Sequence, residues 1–534
     1  MTAAVHSFGA CIALCVLAWA APSFAASGLA EYGNELLPGE PAGVKLHGYL
    51  RTRAEAFWNL DLDRGPTPSG QTFFPEPLSN PSSPLLTMAD GRLRTDLVAQ
   101  GPGGNVAAVV RIDWIDNLPF GGSPELTPGF GVAPTPAASL GQTPVSLFHL
   151  RYGYGVASTP LGIVTAGRMG AAWGLGMLAN GGDCADCNNG DAADRIAFVT
   201  SIANLYWAVA YDFSAIGPFV PRKDQKRSID LDPTDDVRTF TLAVFQTRDE
   251  NTRRRRGNAG KWTVDYGATL SHRRQDNDVP ASYLPTETPV TLDASQVIRR
   301  NFRSTLVDGW LRIWSPSFRI ELEGALDVSS VEQASLIPGA LFNQPVTSMQ
   351  WGGALESDFG GSESSFHGGV DVGVASGDSA PGFGAYPRSG VSATRGELDA
   401  PQALPPSDTT VNNFRFSPDY RVDQILFHEL IGTVTDAAYL KPWASYRLLD
   451  LSTSQLTLKL AAIGSSALYA SSTPSGQAPL GVELDSSLLY ASNDGFSSAL
   501  EHAVLFPLAG LDNPDLGLRA QPAQLLRLRI SYAF

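Results

Sequence analysis

The residues best suited to chemistry sit together in GGDCADCNNGDAADRI, residues 181–196. Cys184 and Cys187, with two residues between them, can close a small disulfide in an oxidising compartment. Asp183, Asp186, Asp191 and Asp194, with Asn188 and Asn189, offer the hard oxygen atoms that calcium takes as ligands. Zinc is not expected, because a structural site needs four ligands and the segment has two cysteines and no histidine. The spacing differs from that of an EF-hand loop, so the plainer alternative is a solvated Asp/Asn turn stiffened by one crosslink. No cofactor is required on either reading, and Ca2+ is the ion these residues suit.

A second candidate set is ionic. Arg51, Arg53, Arg92, Arg94, Arg111, Arg151, Arg527 and Arg529 fall on one side of alternating segments early in the chain and at its end, whereas Asp308, Glu321, Glu323, Asp327 and Asp371 do so in its middle. No catalytic constellation accompanies them. His47, His149, His272, His367, His428 and His502 are scattered, HExxH and GxSxG are absent, and the Asp235–Asp236 pair reads as solvated, so no enzymatic activity is expected. The arginine run 253–256 likewise reads as a solvated turn.

Strands must position these groups. The last ten residues, LLRLRISYAF (525–534), put Phe534, Tyr532, Ile530, Leu528 and Leu526 on one side of a period-two pattern and Ser531, Arg529 and Arg527 on the other. A sandwich core would bury those arginines unpaired, whereas a wall with lipid outside and water inside suits both faces. The split recurs: Leu46, Gly48, Leu50, Thr52, Ala54 and Ala56 oppose His47, Tyr49, Arg51, Arg53 and Glu55, and Ile320, Leu322, Gly324, Leu326 and Val328 oppose Arg319, Glu321, Glu323, Ala325 and Asp327. Tight turn signals at 101–104, 158–160, 315–317 and 493–495 alternate with long Gly-, Pro- and Ser-rich stretches at 61–90, 117–144, 171–195, 275–297 and 377–422. The expected fold class is all-β: a single transmembrane antiparallel β-barrel of about 18 strands (16 possible), with long extracellular loops and short periplasmic turns. The weakest stretches are 200–217 and 421–448, where His428 and Glu429 belong either to a strand or to a loop folded into the lumen. Barrels of about this size leave an aqueous channel.

Closure of such a barrel sets the last strand beside the first, so Arg527 and Arg529 join Arg51 and Arg53 in one basic wall, with Lys441 and Lys459 from late strands. The acidic middle strands then lie across the lumen, and opposed walls of this kind orient polar solutes and favour anions along the arginine side. The alternative is mutual pairing, with Arg51, Arg92 and Arg111 taken up by Glu55, Asp96 and Asp113 on neighbouring strands.

Composition narrows the class further. Mean hydropathy is -0.05, and outside the N-terminal run no stretch approaches the roughly 18 uninterrupted apolar residues of a helical span. A net charge of -15 argues against nucleic acid as a partner. The apolar run 11–21, followed by Pro22 and Ser23-Phe24-Ala25, reads as a secretory signal cleaved before Ala26, although no Lys or Arg precedes it. The expected domains are therefore a signal peptide at 1–25, a short periplasmic segment at 26–42 and the transmembrane barrel at 43–534. With a first strand near Leu46 there is no room for an N-terminal plug domain, and the expected location is the outer membrane.

The aromatic terminus Phe534, with Tyr532 two places earlier, resembles the closing strand of bacterial outer-membrane barrels. That likeness implies outer-membrane lipid as the surroundings and the barrel-assembly machinery as a partner of the C-terminal strand. HGYLRTRAE (47–55), GRMGAAWGLGML (167–178), LGVELD (480–485) and the closing strand together resemble large porin-like barrels, nearest to the alginate-export type, and 167–196 is also similar to uncharacterised outer-membrane proteins. The resemblance implies passive passage of a polar or anionic solute, or of an anionic polysaccharide, with Arg51, Arg53, Arg92, Arg94 and Arg111 in the conduit. The acidic middle strands and segment 181–196 depart from that pattern. The competing expectation is a structural or adhesive barrel whose lumen is occluded by loop 377–422.

Overall fold

A computed structural model of the protein describes residues 27–534 apart from 37–38, 78–83, 121–147, 185, 215–234, 279–296, 335–343, 362–363, 384–393, 399–402 and 404–407. The expected signal peptide, 1–25, lies outside the described residues, as do parts of the long loops. The strands are β1 Gly43–Trp58, β2 Leu85–Gln100, β3 Val106–Pro119, β4 His149–Thr159, β5 Gly162–Gly170, β6 Ala192–Ile202, β7 Leu205–Ser214, β8 Val237–Gln246 and β9 Thr263–Asp278. They continue as β10 Ile298–Ser315, β11 Phe318–Val331, β12 Val346–Phe359, β13 Phe366–Ala375, β14 Ala437–Leu451, β15 Ser454–Ala467, β16 Pro479–Ser492, β17 Phe496–Pro507 and β18 Ala523–Ala533.

Each strand pairs antiparallel with its sequence neighbours, and β1 pairs with both β2 and β18, so the 18-stranded sheet is closed. At the seam the Phe534 N–H donates to the Gly48 carbonyl and the Gly48 N–H to the Phe534 carbonyl, both at 3.0 Å. The turn signals fall between β2 and β3, β4 and β5, β10 and β11, and β16 and β17. Of the two weak stretches, 200–217 holds the end of β6 and all of β7, while 421–436 leaves the wall and β14 begins only at Ala437. The arginine run 253–256 lies in helix α1 (Glu250–Asn258), capped by the Asp249 side chain. Arg253 reaches Asp265 of β9 at 3.3 Å and Arg256 donates to the Trp262 carbonyl at 2.8 Å, while Arg254 and Arg255 are exposed.

Alternation decides which face each residue takes. Leu46, Leu50, Leu322, Leu326, Val328, Leu484, Leu526 and Leu528 are exposed on the outside, while Tyr49, Arg51, Arg53 and Glu55 on β1 are buried inside. Aromatic side chains edge this apolar belt at both ends. Trp114 and Phe148 meet edge-on at 5.7 Å on the long-loop side, and Trp262 and Phe318 at 5.2 Å on the short-turn side, the end at which Phe359, Phe366 and Phe534 are also exposed. An apolar band between two aromatic girdles is the surface a bilayer requires. The chain is a transmembrane β-barrel of the outer membrane.

Among the described residues, parts of 376–436, of loop 171–191 and of 27–36 fold into the barrel, and Leu60, Leu62, Phe73 and Leu511 of other loops join the buried apolar cluster. From 376–436, Phe414, Phe416, Ile425, Leu426 and Phe427 pack against Phe57, Ala354, Ala375, Tyr439, Ile463, Leu505 and Leu525 of the inner wall. Small wall residues make room for them: a Cβ on Gly352 of β12 would stand 2.5 Å from Phe414 Cδ1. Trp173, in loop 171–191, meets Phe245 and Trp310 edge-on at 6.0 and 6.4 Å inside the barrel. Residues 27–36, within the stretch expected to be a short periplasmic segment, lay Leu29, Tyr32 and Leu36 on Val109, Tyr152, Tyr154 and Val199. The Tyr154 hydroxyl donates to Glu35 at 2.6 Å and Tyr32 donates to the Gly170 carbonyl. Each large apolar side chain buried in this way contributes about 1.5–3 kcal/mol, so all three insertions are docked.

Candidate functional site

The inner-face arginines form a ladder across adjacent strands. Arg529 faces Arg53 and Arg527 faces Glu55 in the β1–β18 register, and Arg51 faces Arg92 in the β1–β2 register. Pairing is extensive, with partners other than those expected. Arg51 meets Asp90 at 2.6 Å rather than Glu55, and Arg92 meets Asp116 at 2.8 Å rather than Asp96. Arg111 takes Asp96 at 2.6 Å, while Asp113 is shared by Arg94 and Arg151, each at 2.7 Å. Arg151 also reaches Asp116 at 2.5 Å, and Arg527 meets Glu55 at 2.5 Å. Arg94–Asp113, Arg111–Asp96 and Arg527–Glu55 are directly opposed in the strand registers, Arg51 reaches diagonally to Asp90 across the regular β1–β2 pair, and Arg92 reaches Asp116 where the β2–β3 register is bulged.

Loop 171–191 lies along this ladder and presents oxygen to it. Arg111 pairs with Asp183, Arg94 donates to the Gly182 carbonyl at 2.8 Å, and Arg92 donates to the Cys187 carbonyl. Asp186 then takes Arg53 at 2.8 Å, Arg527 at 3.1 Å and Arg529 at 3.7 Å. Burial alone would raise the Asp186 carboxyl, but Arg527, Arg421, Arg529 and Arg53 hold it well below the usual carboxylate range. A disulfide joins Cys184 and Cys187 on either side of it.

The four aspartates considered as calcium ligands diverge. Asp183 and Asp186 face different arginines, Asp191 accepts from the Asn180 N–H at 2.8 Å, and Asp194 pairs with Arg168 at 2.7 Å on the strands β5 and β6. Among the described residues no group of three or more His, Cys, Asp or Glu is placed to hold a metal ion. Two of them, Asp183 and Asp186, serve as counter-ions of the ladder.

The acidic middle strands also turn inward, and much of their charge is engaged. Glu321 accepts from the Trp310 indole at 2.8 Å and pairs with Arg319 at 2.7 Å, and Asp327 accepts from Ser304 at 2.6 Å. Asp308 is buried on β10 beside Glu323, whose carboxyl receives the Met177 and Leu178 N–H groups of loop 171–191 at 3.4 and 3.3 Å. Asp371 accepts from the Trp443 indole at 3.2 Å and faces Lys441 across the β13–β14 pair, while the Lys459 ammonium lies 4.8 Å from the centre of the Trp443 ring.

Loop 376–436 bridges the two sides. Glu483 on β16 receives the N–H groups of Gln424, Ile425 and Leu426 at 2.9, 2.8 and 3.0 Å. Asp419 receives those of Asn188 and Asn189 at 2.9 and 3.1 Å, and Arg421 donates to the Asp186 carbonyl at 2.8 Å. His428 and Glu429 stand in a single π-helical turn, Leu426–Leu430, inside the lumen, and Glu429 meets Arg527 at 3.1 Å. Burial and the neighbouring Glu483 push the Asp423 carboxyl well above its usual range, and burial pushes Asp436 up to about 7. Sequence reasoning did not single out Asp419, Arg421, Asp436 or Glu483 as site residues. The available signal was apolar: Phe414, Phe416 and Ile425-Leu426-Phe427 have no reason to stand in a solvated loop.

Together the closed wall and its charged lining define the class, a large outer-membrane β-barrel. No family model matches the sequence, and no curated protein matches it. Among solved structures the chain is similar to OccK11 of Pseudomonas aeruginosa, at 8% identity and a TM-score of 0.46, over 93% of this chain and 99% of that one. It is similar to a BenF-like porin from Pseudomonas fluorescens Pf-5, at 11% identity and 0.44, over 92% and 98%. It also matches the outer membrane channel DcaP of Acinetobacter baumannii, at 11% identity and 0.34, over 93% and 100%. The likeness is one of barrel architecture.

Proposed function

We propose that this protein is a porin-like channel that passes small polar anions along the arginine ladder, through a constriction formed by loops 171–191 and 376–436. The observation that carries this reading is the continuous row Arg111, Arg94, Arg92, Arg53, Arg527 and Arg529 across β3, β2, β1 and β18 on the inner face. Guanidinium groups stay charged at all physiological pH and match carboxylate geometry, so a row of them makes a track for anions. An 18-strand wall leaves width for an aqueous path beside inserted loops. Two loops folded into that width favour a small solute over the anionic polysaccharide that the alginate-export resemblance implied. A second reading, a structural or adhesive barrel with an occluded lumen, draws support from the apolar packing of Phe414, Phe416 and Phe427. Liposome swelling separates the two. Purified protein that admits succinate faster than a neutral sugar of similar size supports the channel, and protein that admits neither supports the occluded barrel.

A further inference from the structure

Beside the carboxylates of the wall itself, one short stretch of loop lays a run of oxygen atoms on the ladder. Asp183, the Gly182 and Cys187 carbonyls and Asp186 engage Arg111, Arg94, Arg92 and the Arg53–Arg527–Arg529 group in turn. Asp186 is the most solute-like of these. With Asp90, Glu55, Glu429 and Glu501 it is one of the carboxylates that meet the three guanidinium groups of Arg53, Arg527 and Arg529, it alone of these is carried by loop 171–191, and its side chain keeps 13% of its surface open. Its grip is uneven, at 2.8, 3.1 and 3.7 Å, and it shares Arg53 with Asp90, Arg527 with Glu55 and Glu429, and Arg529 with Glu501. The carrier of Asp186 is a loop rather than a strand, and that loop is held at this point by the small Cys184–Cys187 ring, by Asp419 and by Arg421.

We propose that Arg53, Arg527 and Arg529 form a carboxylate-binding site of which Asp186 is the resident, tethered occupant, and that a permeating carboxylate solute takes the site by displacing it. The site rests on the channel reading above and specifies its substrate class: small organic acids whose carboxylate competes with Asp186. A side chain tethered by a short loop acts at a millimolar effective concentration. A free carboxylate must outcompete that, which sets a threshold for entry and keeps the ladder covered when no solute is present. An ion pair that merely anchors the loop would show no such competition.

The test compares wild type with Asp186→Asn, which keeps size and removes charge, as full-length protein in planar bilayers with sodium succinate as the probe. Removing the tethered competitor should lower the succinate concentration that halves the chloride current by on the order of tenfold and shift the reversal potential in a KCl gradient toward chloride. Equal succinate sensitivity and equal reversal potential in the two proteins would overturn the site. If neither protein conducts, the channel reading fails, and the site is then read by thermal unfolding in detergent. Succinate that stabilises Asp186→Asn at concentrations leaving wild type unmoved supports the site, and no difference overturns it. Should Asp186→Asn not fold, wild type reduced with dithiothreitol replaces it, since opening the Cys184–Cys187 ring loosens the same tether. A lowered succinate requirement supports the site there and an unchanged one overturns it.

Discussion

Replacing Glu483 by Ala strikes the point where loop 376–436 is fastened to the wall by polar contacts. Its carboxylate takes three backbone N–H groups, from Gln424, Ile425 and Leu426, at 2.8 to 3.0 Å, in a place where Glu483 and Ile425 are both almost fully buried. A buried donor that loses its acceptor costs about 1–3 kcal/mol, so three together cost at least about 3 kcal/mol. The apolar contacts of Phe414, Phe416, Leu426 and Phe427 remain, at about 1.5–3 kcal/mol each, and outweigh that loss. Local opening at 424–426 is therefore expected, without ejection of the whole loop. Hydrogen exchange read by mass spectrometry on the purified barrel should show amides 424–426 exchanging at least about a hundredfold faster, since each 1.4 kcal/mol is a factor of ten. Glu483→Gln, which retains one acceptor oxygen, should fall between. Unchanged exchange at 424–426 in a folded Glu483→Ala barrel would refute the assignment of Glu483 as the fastener.

Three further outcomes follow from the same contacts. Arg527→Gln leaves Glu55, Asp186 and Glu429 without their shared cation and should destabilise the barrel by about 3–5 kcal/mol, read as a lower guanidinium chloride midpoint; an unchanged midpoint refutes it. Asp436, buried and pushed up from 3.8 to about 7, favours the docked loop in its protonated form, so docking is strongest below about pH 4 and weakens as pH rises through 7. Exchange at the Tyr469 amide, which donates to Asp436 at 3.1 Å, should thus be slower at pH 5 than at pH 7.5 after correction for intrinsic rates, and Asp436→Asn should flatten the difference. Deleting Phe534 removes the paired Gly48 hydrogen bonds at the seam and should lower the folded, heat-modifiable fraction recovered from outer membranes severalfold, whereas full recovery would show the terminal pair to be dispensable.

The wall was legible because a strand between lipid and water has to alternate, and LLRLRISYAF or HGYLRTRAE can satisfy that requirement in only one orientation. Closure then placed Arg527 and Arg529 beside Arg53 without further information. Ion-pair partners were less legible. Arg51 and Arg92 reach Asp90 and Asp116 because long side chains lean along the strand and bulges shift the register, which a face count does not register. The lumen filling was the least legible part. Long Gly- and Pro-rich stretches read as outer loops, and only the apolar residues within them, Phe414, Phe416, Tyr420 and Leu426, or Tyr32 and Leu36 before β1, require an interior. Two of the aspartates read as calcium ligands, Asp183 and Asp186, meet arginines, a competition that becomes apparent only when the loop is seen lying on the ladder.

The most direct measurement is the single-channel current and zero-current potential of the purified, folded wild-type protein in a planar bilayer under a KCl gradient. An arginine-laddered channel gives discrete conductance steps with a zero-current potential displaced toward chloride. Folded protein that inserts without conducting, or that conducts with a preference for potassium, contradicts it.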